Sequence, residues 1–237
     1  MLSIVIPAYN EEENIAAIID KIENSVGINH ELVVVNDYSK DRTAQIVMSL
    51  AGKYPNLRLL DNAGDKGFAG AVKFGLNSIN GDRVVLVMGD LCDDLNTIKD
   101  MNKKMDEGFD IVCGSRYIKG GRRLGGSKLK GTLSAFAGWS LHYLLGIPTH
   151  DIANAFKMYR KDVIKNINIE SDTFQISMEI PLKAHYKGFK IAEVPTAWKE
   201  RDKGKSSFKV FKLIPKYLKL YFWAIGKRLS RGMEKKT

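Results

Sequence analysis

The sequence predicts an α/β domain built on a doubly wound, mostly parallel sheet that turns mixed in its C-terminal half. Three observations carry this. The apolar runs SIVIP, ELVVV and RVVLVM lack the alternation of a half-exposed strand, so each suits a strand covered on both faces by crossover helices. Each run is followed by a helical pattern, giving repeated β-then-α units. Each also ends in acid-bearing polar sequence (AYNEEEN, NDYSKD and GDLCDD), and ligands of open α/β sheets collect beyond the carboxyl ends of the strands.

After the first strand, Ile15, Ile18, Ile19, Ile22 and Val26 recur at helical spacing behind Glu11, Glu12 and Glu13, acids that a helix N-terminus favours. Leu32 to Val35 begin a second strand, and Ala44, Val47, Leu50 and Ala51 mark a second helix with Ser39 as its expected cap. LRLLD leads into the glycine-rich NAGDKGFAGAVKFGLNSI as a third unit. Arg83 to Met88 form the next strand, Leu95, Ile98, Met101 and Met105 the next helical face, and FDIVCGS a short strand. The second half is less regular. A basic glycine loop from Lys119 to Lys130 precedes a helix through LSAFAGWSLHYLLG, after which NAFKMYR reads as a strand, Ile176 to Tyr186 as a helix and KIAEVPTAW as a strand. No internal repeat or linker interrupts this order, so the expected division is one domain over residues 1–207 and a C-terminal extension over 208–237.

The 237 residues, 44% hydrophobic, suffice for one substantial core. Cys92 and Cys113 lack the paired spacing of a disulfide framework or zinc site, and MLSIVIP enters a strand without the basic and apolar regions of a secretory signal. Both features point to a reducing, cytoplasmic setting. The net charge of +10 is concentrated. Residues 203–237 hold eleven of the 37 Lys and Arg and one of the 27 Asp and Glu, so the body is formally neutral. From Ile111 to His150, Arg116, Lys119, Arg122, Arg123, Lys128 and Lys130 occur without an acid. Such patches imply anionic partners.

Acids at strand ends can hold sugar hydroxyls, a nucleoside or a divalent cation, or they can cap the following helices. A dinucleotide-binding domain would carry its glycine fingerprint after the first strand, where this chain has PAYNEEE, and negative side chains there repel a pyrophosphate. The later GDKGFAGA opens the third helix and lacks the required spacing.

In order along the chain, PAYNEEENI, VVVNDYSKDRTA, NAGDKGFAGA, MGDLCDD, GSRYIKGG, HDIANAFKMYR and EVPTAWKERDKGKSSF resemble the motifs of the family 2 glycosyltransferases, specifically the dolichol-phosphate mannose synthase group. The resemblance runs from about Leu2 to Phe208. It implies a GT-A fold and an inverting glycosyltransferase that moves a hexose from a nucleotide sugar, GDP-mannose or a UDP-sugar, to a polyprenyl or dolichyl phosphate. A saccharide or other lipid acceptor, or a non-catalytic relative that only binds nucleotide sugar, are the alternatives.

The resemblance assigns Pro7, Tyr9 and Glu11 to the nucleotide pocket, Asp37 to the nucleoside and Lys66 to the donor-side glycine loop. The residues read alone leave Asp37 open to capping and Lys66 to solvent. The family's metal motif is D-x-D, held here by Met88, Gly89 and Asp90, so the first acid is missing. A hard cation wants oxygen ligands, which a thioether does not supply. A weakly held Mg2+ or Mn2+ on Asp90, with Asp93 as second ligand, is therefore expected; Asp93 and Asp94 equally suit caps of the next helix. Arg116, with Lys130 and Ser134 four positions apart, matches the acceptor-phosphate group. Their acid-free setting agrees, because such a phosphate carries nearly two charges. Arg201 in ERDKGKSS matches a catalytic arginine facing the diphosphate, with Ser206 in the same segment. Asp151 is either a structural acid or, for a hydroxyl acceptor, the base, and Glu179 either an ion-pair partner or an active-site acid.

In the tail, Ile214, Leu218, Tyr221, Phe222, Ile225 and Leu229 fall on one helical face, with Lys212, Lys216, Lys219 and Lys227 toward the other. The apolar stretch from Leu220 to Gly226 is far short of the roughly 20 residues that cross a bilayer. Pro215 should kink this helix or begin its main segment. The composition is that of an interfacial helix, so the expected partner is an anionic lipid surface on the cytoplasmic face, not nucleic acid. A helix packed on its own domain is the plainer alternative.

Overall fold

The computed structural model describes residues 1–201 and 210–234. Ser206 and the expected boundary at 207/208 lie outside them. In chain order the elements are β1 (Leu2–Ala8), α1 (Ile15–Ser25), β2 (His30–Asn36), α2 (Thr43–Ala51), β3 (Leu57–Asp61), α3 (Phe68–Asn77), β4 (Arg83–Leu86), α4 (Thr97–Asp106), β5 (Ile111–Ser115), β6 (Arg122–Leu124), α5 (Lys128–Leu145), β7 (Lys157–Arg160), α6 (Lys161–Asn166), α7 (Ile176–Tyr186), β8 (Ile191–Pro195), β9 (Ala197–Lys199) and α8 (Val210–Glu234).

Seven strands form one sheet in the order β3-β2-β1-β4-β7-β5-β8, parallel except for β7, which runs against both neighbours. The unalternating runs are explained by two cores. Leu2, Ile4 and Ile6 of β1 pack with Ile15, Ile18, Ile19 and Ile22 of α1 and with α4 on one face. Val5, Val33 and Val35 pack with α3, α6 and α7 on the other. The α3 axis lies close to the sheet because position 75 is glycine: a Cβ there would stand 2.6 Å from Val5 Cγ1.

Several local expectations are corrected. The cap position of α2 is held by Arg42, and Asp41 before it accepts from Thr43 N at 3.0 Å, while Ser39 Oγ accepts from Asn10 N instead. KIAEVPTAW divides into β8 and β9, and the basic loop contains β6, which pairs parallel with β9 as a small second sheet.

A third core joins Leu141 and Leu145 of α5, Met178, Leu182 and Tyr186 of α7, and Ala224 of α8. Here the tail departs from its expectation. Leu213 and Ala224 are buried, Tyr217, Leu220, Tyr221 and Ile225 are partly so, and Tyr186 Oη donates to Ala224 O at 2.7 Å. Only Leu218, Phe222 and Leu229 of the expected stripe face outward as large exposed apolar groups. Pro215 lies inside α8 and does not begin it. No helix among the described residues is long and apolar enough to cross a membrane.

Candidate active site

The acid-bearing loops converge on one rim, beyond the carboxyl ends of β1, β2 and β4. Among the described residues, the non-glycine positions with left-handed backbone are Asn10 (φ 53°), Tyr38 (φ 58°) and Leu91 (φ 61°), one in each of these three loops. For a residue other than Gly, Asn or Asp this conformation costs about 1–2 kcal/mol, and such strain collects at functional sites.

At the end of β1, the buried Pro7 leads to Tyr9, 45% exposed, and then to Glu11. Burial raises the Glu11 carboxyl, against the hydrogen bond that Asn14 Nδ2 donates at 2.9 Å. After β2, Asp37 is only 4% exposed. It accepts from Gly67 N at 2.9 Å and from Asn62 Nδ2 at 2.9 Å, so its carboxylate pins the glycine loop to the sheet. Lys66, carried on that loop, lies over two rings, 5.8 Å from the centre of Tyr9 and 5.7 Å from that of Tyr38.

After β4, Asp90 Oδ1 accepts from Cys92 N at 3.2 Å, and its Oδ2 is 2.7 Å from Arg201 Nη2. Arg201 Nη1 also lies 3.7 Å from Glu11 Oε1. This cation thus bridges the first and third loops. Asp93 is 5% exposed and its carboxylate accepts from Met88 N at 3.5 Å. Burial, and then the charge of Asp90, push Asp93 up to about 7. A cavity of about 170 Å³ opens beside Asp90 and Arg201, walled by Glu13, Asn14, Ala17 and Leu91.

A second centre forms where β5 ends. Arg116 makes a two-pronged pair with Asp151, Nε to Oδ2 at 2.6 Å and Nη2 to Oδ1 at 2.8 Å, and donates from Nη2 to Ser134 Oγ at 3.2 Å. Asp151 also accepts from Arg116 N at 3.0 Å. With a side chain 0% exposed, Asp151 has both carboxylate oxygens engaged by Arg116. The turn behind it is tied by Asn154 Nδ2 to Gly114 O at 2.8 Å and by the fully buried Lys157, whose ammonium donates to Ile152 O at 3.0 Å. Lys130 and Ser134 stand in the first two turns of α5, capped by Ser127 Oγ. Position 138 of that helix is glycine where a Cβ would meet His150 O at 2.0 Å, which seats α5 against the Asp151 turn.

Glu179 belongs to neither centre. It accepts from Glu170 N and Ser171 N at 2.9 and 2.8 Å and pairs with Lys183 at 2.6 Å, anchoring the segment before α7. Sequence reasoning passed over Tyr38 and Lys157. An aromatic directly after a strand-end acid and a lysine inside an apolar strand were their signals.

A family model for glycosyl transferase family 2 matches residues 3–167. The chain belongs to that family. This family 2 chain is 31% identical over 230 residues to a dolichol-phosphate mannosyltransferase of Pyrococcus furiosus, covering 94% of this chain and 64% of that protein. It therefore spans just under two thirds of that relative's length. It is 29% identical over 244 residues to a polyprenol monophosphomannose synthase of Mycolicibacterium smegmatis, covering 97% and 89%. Its fold is similar to that of glucosyl-3-phosphoglycerate synthase from Mycobacterium tuberculosis solved with Mn2+, UDP and phosphoglyceric acid, with a TM-score of 0.71 at 18% identity over 96% of this chain and 78% of that one. That likeness is one of fold, the GT-A arrangement.

That synthase is solved with Mn2+ and UDP and also with Mg2+ and UDP. In the family 2 chain no three His, Cys, Asp or Glu side chains gather as a metal cluster among the described residues. Two carboxylates are near enough to feel each other's charge, however. Asp93 is a buried acid with one long hydrogen bond and Asp90 as its charged neighbour, a donor set of hard oxygens that fits such a cation when phosphates and water complete the shell.

Proposed function

We propose that this protein is an inverting hexosyltransferase that carries a sugar from a GDP- or UDP-sugar to a polyprenyl phosphate at the cytoplasmic face of a membrane. The observation that carries the reading is the Arg116 guanidinium, fixed by Asp151 and touching Ser134, in a 40-residue stretch without an acid. Asp151 holds its Nε and Nη2, which leaves the Nη1 end to meet a phosphate at the root of α5. Lys130, in the first turn of the same helix, adds charge.

A phosphate acceptor arrives already ionised, so no proton need be removed. One of its oxygens bonds to sugar C1 on the face opposite the leaving group, the C1–O bond to the donor diphosphate breaks, and the electron pair leaves with the nucleoside diphosphate. Positioning and charge stabilisation supply the catalysis. Arg116, Lys130 and Ser134 orient the nucleophile. Arg201 meets the charge developing on the diphosphate, and Tyr9 and Glu11 border the nucleotide, with Asp37 holding the glycine loop that carries Lys66. Asp90 and Asp93 would hold Mg2+ or Mn2+, which neutralises diphosphate charge when bound. A hydroxyl acceptor would need a base, and the pairing of Asp151 with Arg116 argues against it.

Attachment to lipid is supported by α5 as much as by the tail. Leu129, Leu133, Phe136, Trp139, Tyr143 and Leu144 are exposed on α5, and Leu218, Phe222 and Leu229 on α8. Exposed apolar side chains at this density mark a contact surface, and the lysines of α8 suit anionic lipid. The test is transfer of labelled sugar from GDP-mannose, UDP-glucose and UDP-GlcNAc to polyprenyl phosphate in vesicles, with Mn2+, Mg2+ or chelator. One donor should label the lipid, and no labelling from any of them would sink the acceptor assignment.

A further inference from the structure

Tyr38 has a backbone that suits glycine and a side chain that suits a ligand. Its φ of 58° lies in the left-handed region, which an aromatic residue adopts only under constraint. The constraint is visible on both sides. Asp37 before it is buried and bonded to Gly67 N, and Ser39 N after it donates to Asn36 Oδ1 at 3.2 Å. The strained backbone does not serve the core, because the Tyr38 ring is 47% exposed. It stands over the glycine loop, with Oη donating to Gly64 O at 3.3 Å, and faces the same ammonium, that of Lys66, as the half-exposed ring of Tyr9.

Two exposed rings on adjacent strand-end loops, turned to one cation, are the parts of a stacking site for a flat aromatic group attached to phosphates. We infer that Tyr38 is a base-binding residue, forming with Tyr9 the subsite for the nucleobase of the donor. The inference rests on the nucleotide-sugar reading above and adds the residue that grips the base. Lys66, lying against both rings, is the cation next to the anionic end of such a ligand. Stacking tolerates any base because every base presents a π-face, so the subsite gives affinity more than a choice between guanine and uracil.

The experiment is calorimetric titration of the whole chain with UDP, GDP and inorganic pyrophosphate, on wild type and on the Tyr38→Gly and Tyr38→Phe variants, with a thermal melt of each. Tyr38→Gly should weaken both nucleotides by about 5- to 160-fold, the range of losing one stacked ring. Pyrophosphate affinity should be unchanged, and the melting temperature equal or higher, since glycine relieves the backbone. Tyr38→Phe keeps the ring and should bind nucleotide within about twofold of wild type. Unchanged nucleotide affinity in Tyr38→Gly, or an equal loss for pyrophosphate, overturns the inference. Absence of nucleotide binding by the wild type would overturn the donor reading itself.

Discussion

Removing the Asp151 carboxylate should cost far more than one hydrogen bond. Arg116 is 12% exposed on its side chain and Asp151 0%, so Asp151→Ala leaves a nearly buried guanidinium with Ser134 Oγ as its remaining hydrogen-bond partner among the described residues and strips the acceptor from Arg116 N. Breaking a buried pair from one side costs about 3–5 kcal/mol, against a total stability of roughly 5–15 kcal/mol for a folded protein. For a chain of 237 residues that corresponds to a fall of roughly 6–20 °C in melting temperature. Replacing both partners with apolar residues, Arg116→Met with Asp151→Leu, removes the stranded charge and should recover most of the loss. Thermal or urea melts of the wild type, both single variants and the double variant close a double-mutant cycle, with an expected coupling of about 2 kcal/mol or more. Transfer to polyprenyl phosphate should stay abolished in the recovered double variant, because the proposed phosphate-binding guanidinium is gone. Additive single effects below about 1 kcal/mol, or a double variant that still transfers sugar, would refute the reasoning.

Asp93 binds its proton more tightly folded than unfolded, about 7 against 3.8, so stability present at low pH is lost as pH rises through 7. In chelator, Asp93→Asn should gain roughly 2–3 kcal/mol on wild type between pH 5 and pH 8, and a pH-independent difference in urea melts would show that the group titrates elsewhere. Phe136→Glu, at a position 69% exposed, should leave the melting temperature unchanged while lowering partition onto anionic vesicles by about tenfold or more, from the lost burial of one aromatic side chain. Cosedimentation reads that loss, and undiminished binding would remove α5 from the lipid-facing surface.

The strands were legible where physics left one option. Runs such as Ile4 to Ile6 and Val33 to Val35 have no polar face, and two covering layers are what such runs require. The three-residue strands β6 and β9 are too short for any period, and they exist because they pair with each other. The tail was half legible. Its apolar residues wrap most of the helix, so the stripe through Leu218 and Phe222 was visible while the one through Leu213, Tyr217, Leu220 and Ala224, which buries against α5 and α7, was not separable from it. Candidate site residues came from motifs, but partnerships did not. Arg201 meets Asp90 across 111 positions, and no spacing rule spans that distance. The roles of Asp37 as a loop pin and Asp151 as an arginine holder follow from burial, which a carboxylate in a string of letters does not reveal.

The seating of α8 against α7, with Tyr186 Oη bonded to the carbonyl of Ala224, has a mechanical consequence. A tail joined only by its chain would let the body swing above a bilayer like a buoy on a line. This tail shares a core with the helix that carries Lys130 and Ser134, so the outward rings of α5 and α8 and the Arg116–Ser134 contact are tied into one piece. On the proposed lipid attachment, the depth at which those rings settle would set the height at which an acceptor headgroup meets Arg116, and the fold itself would act as a depth gauge.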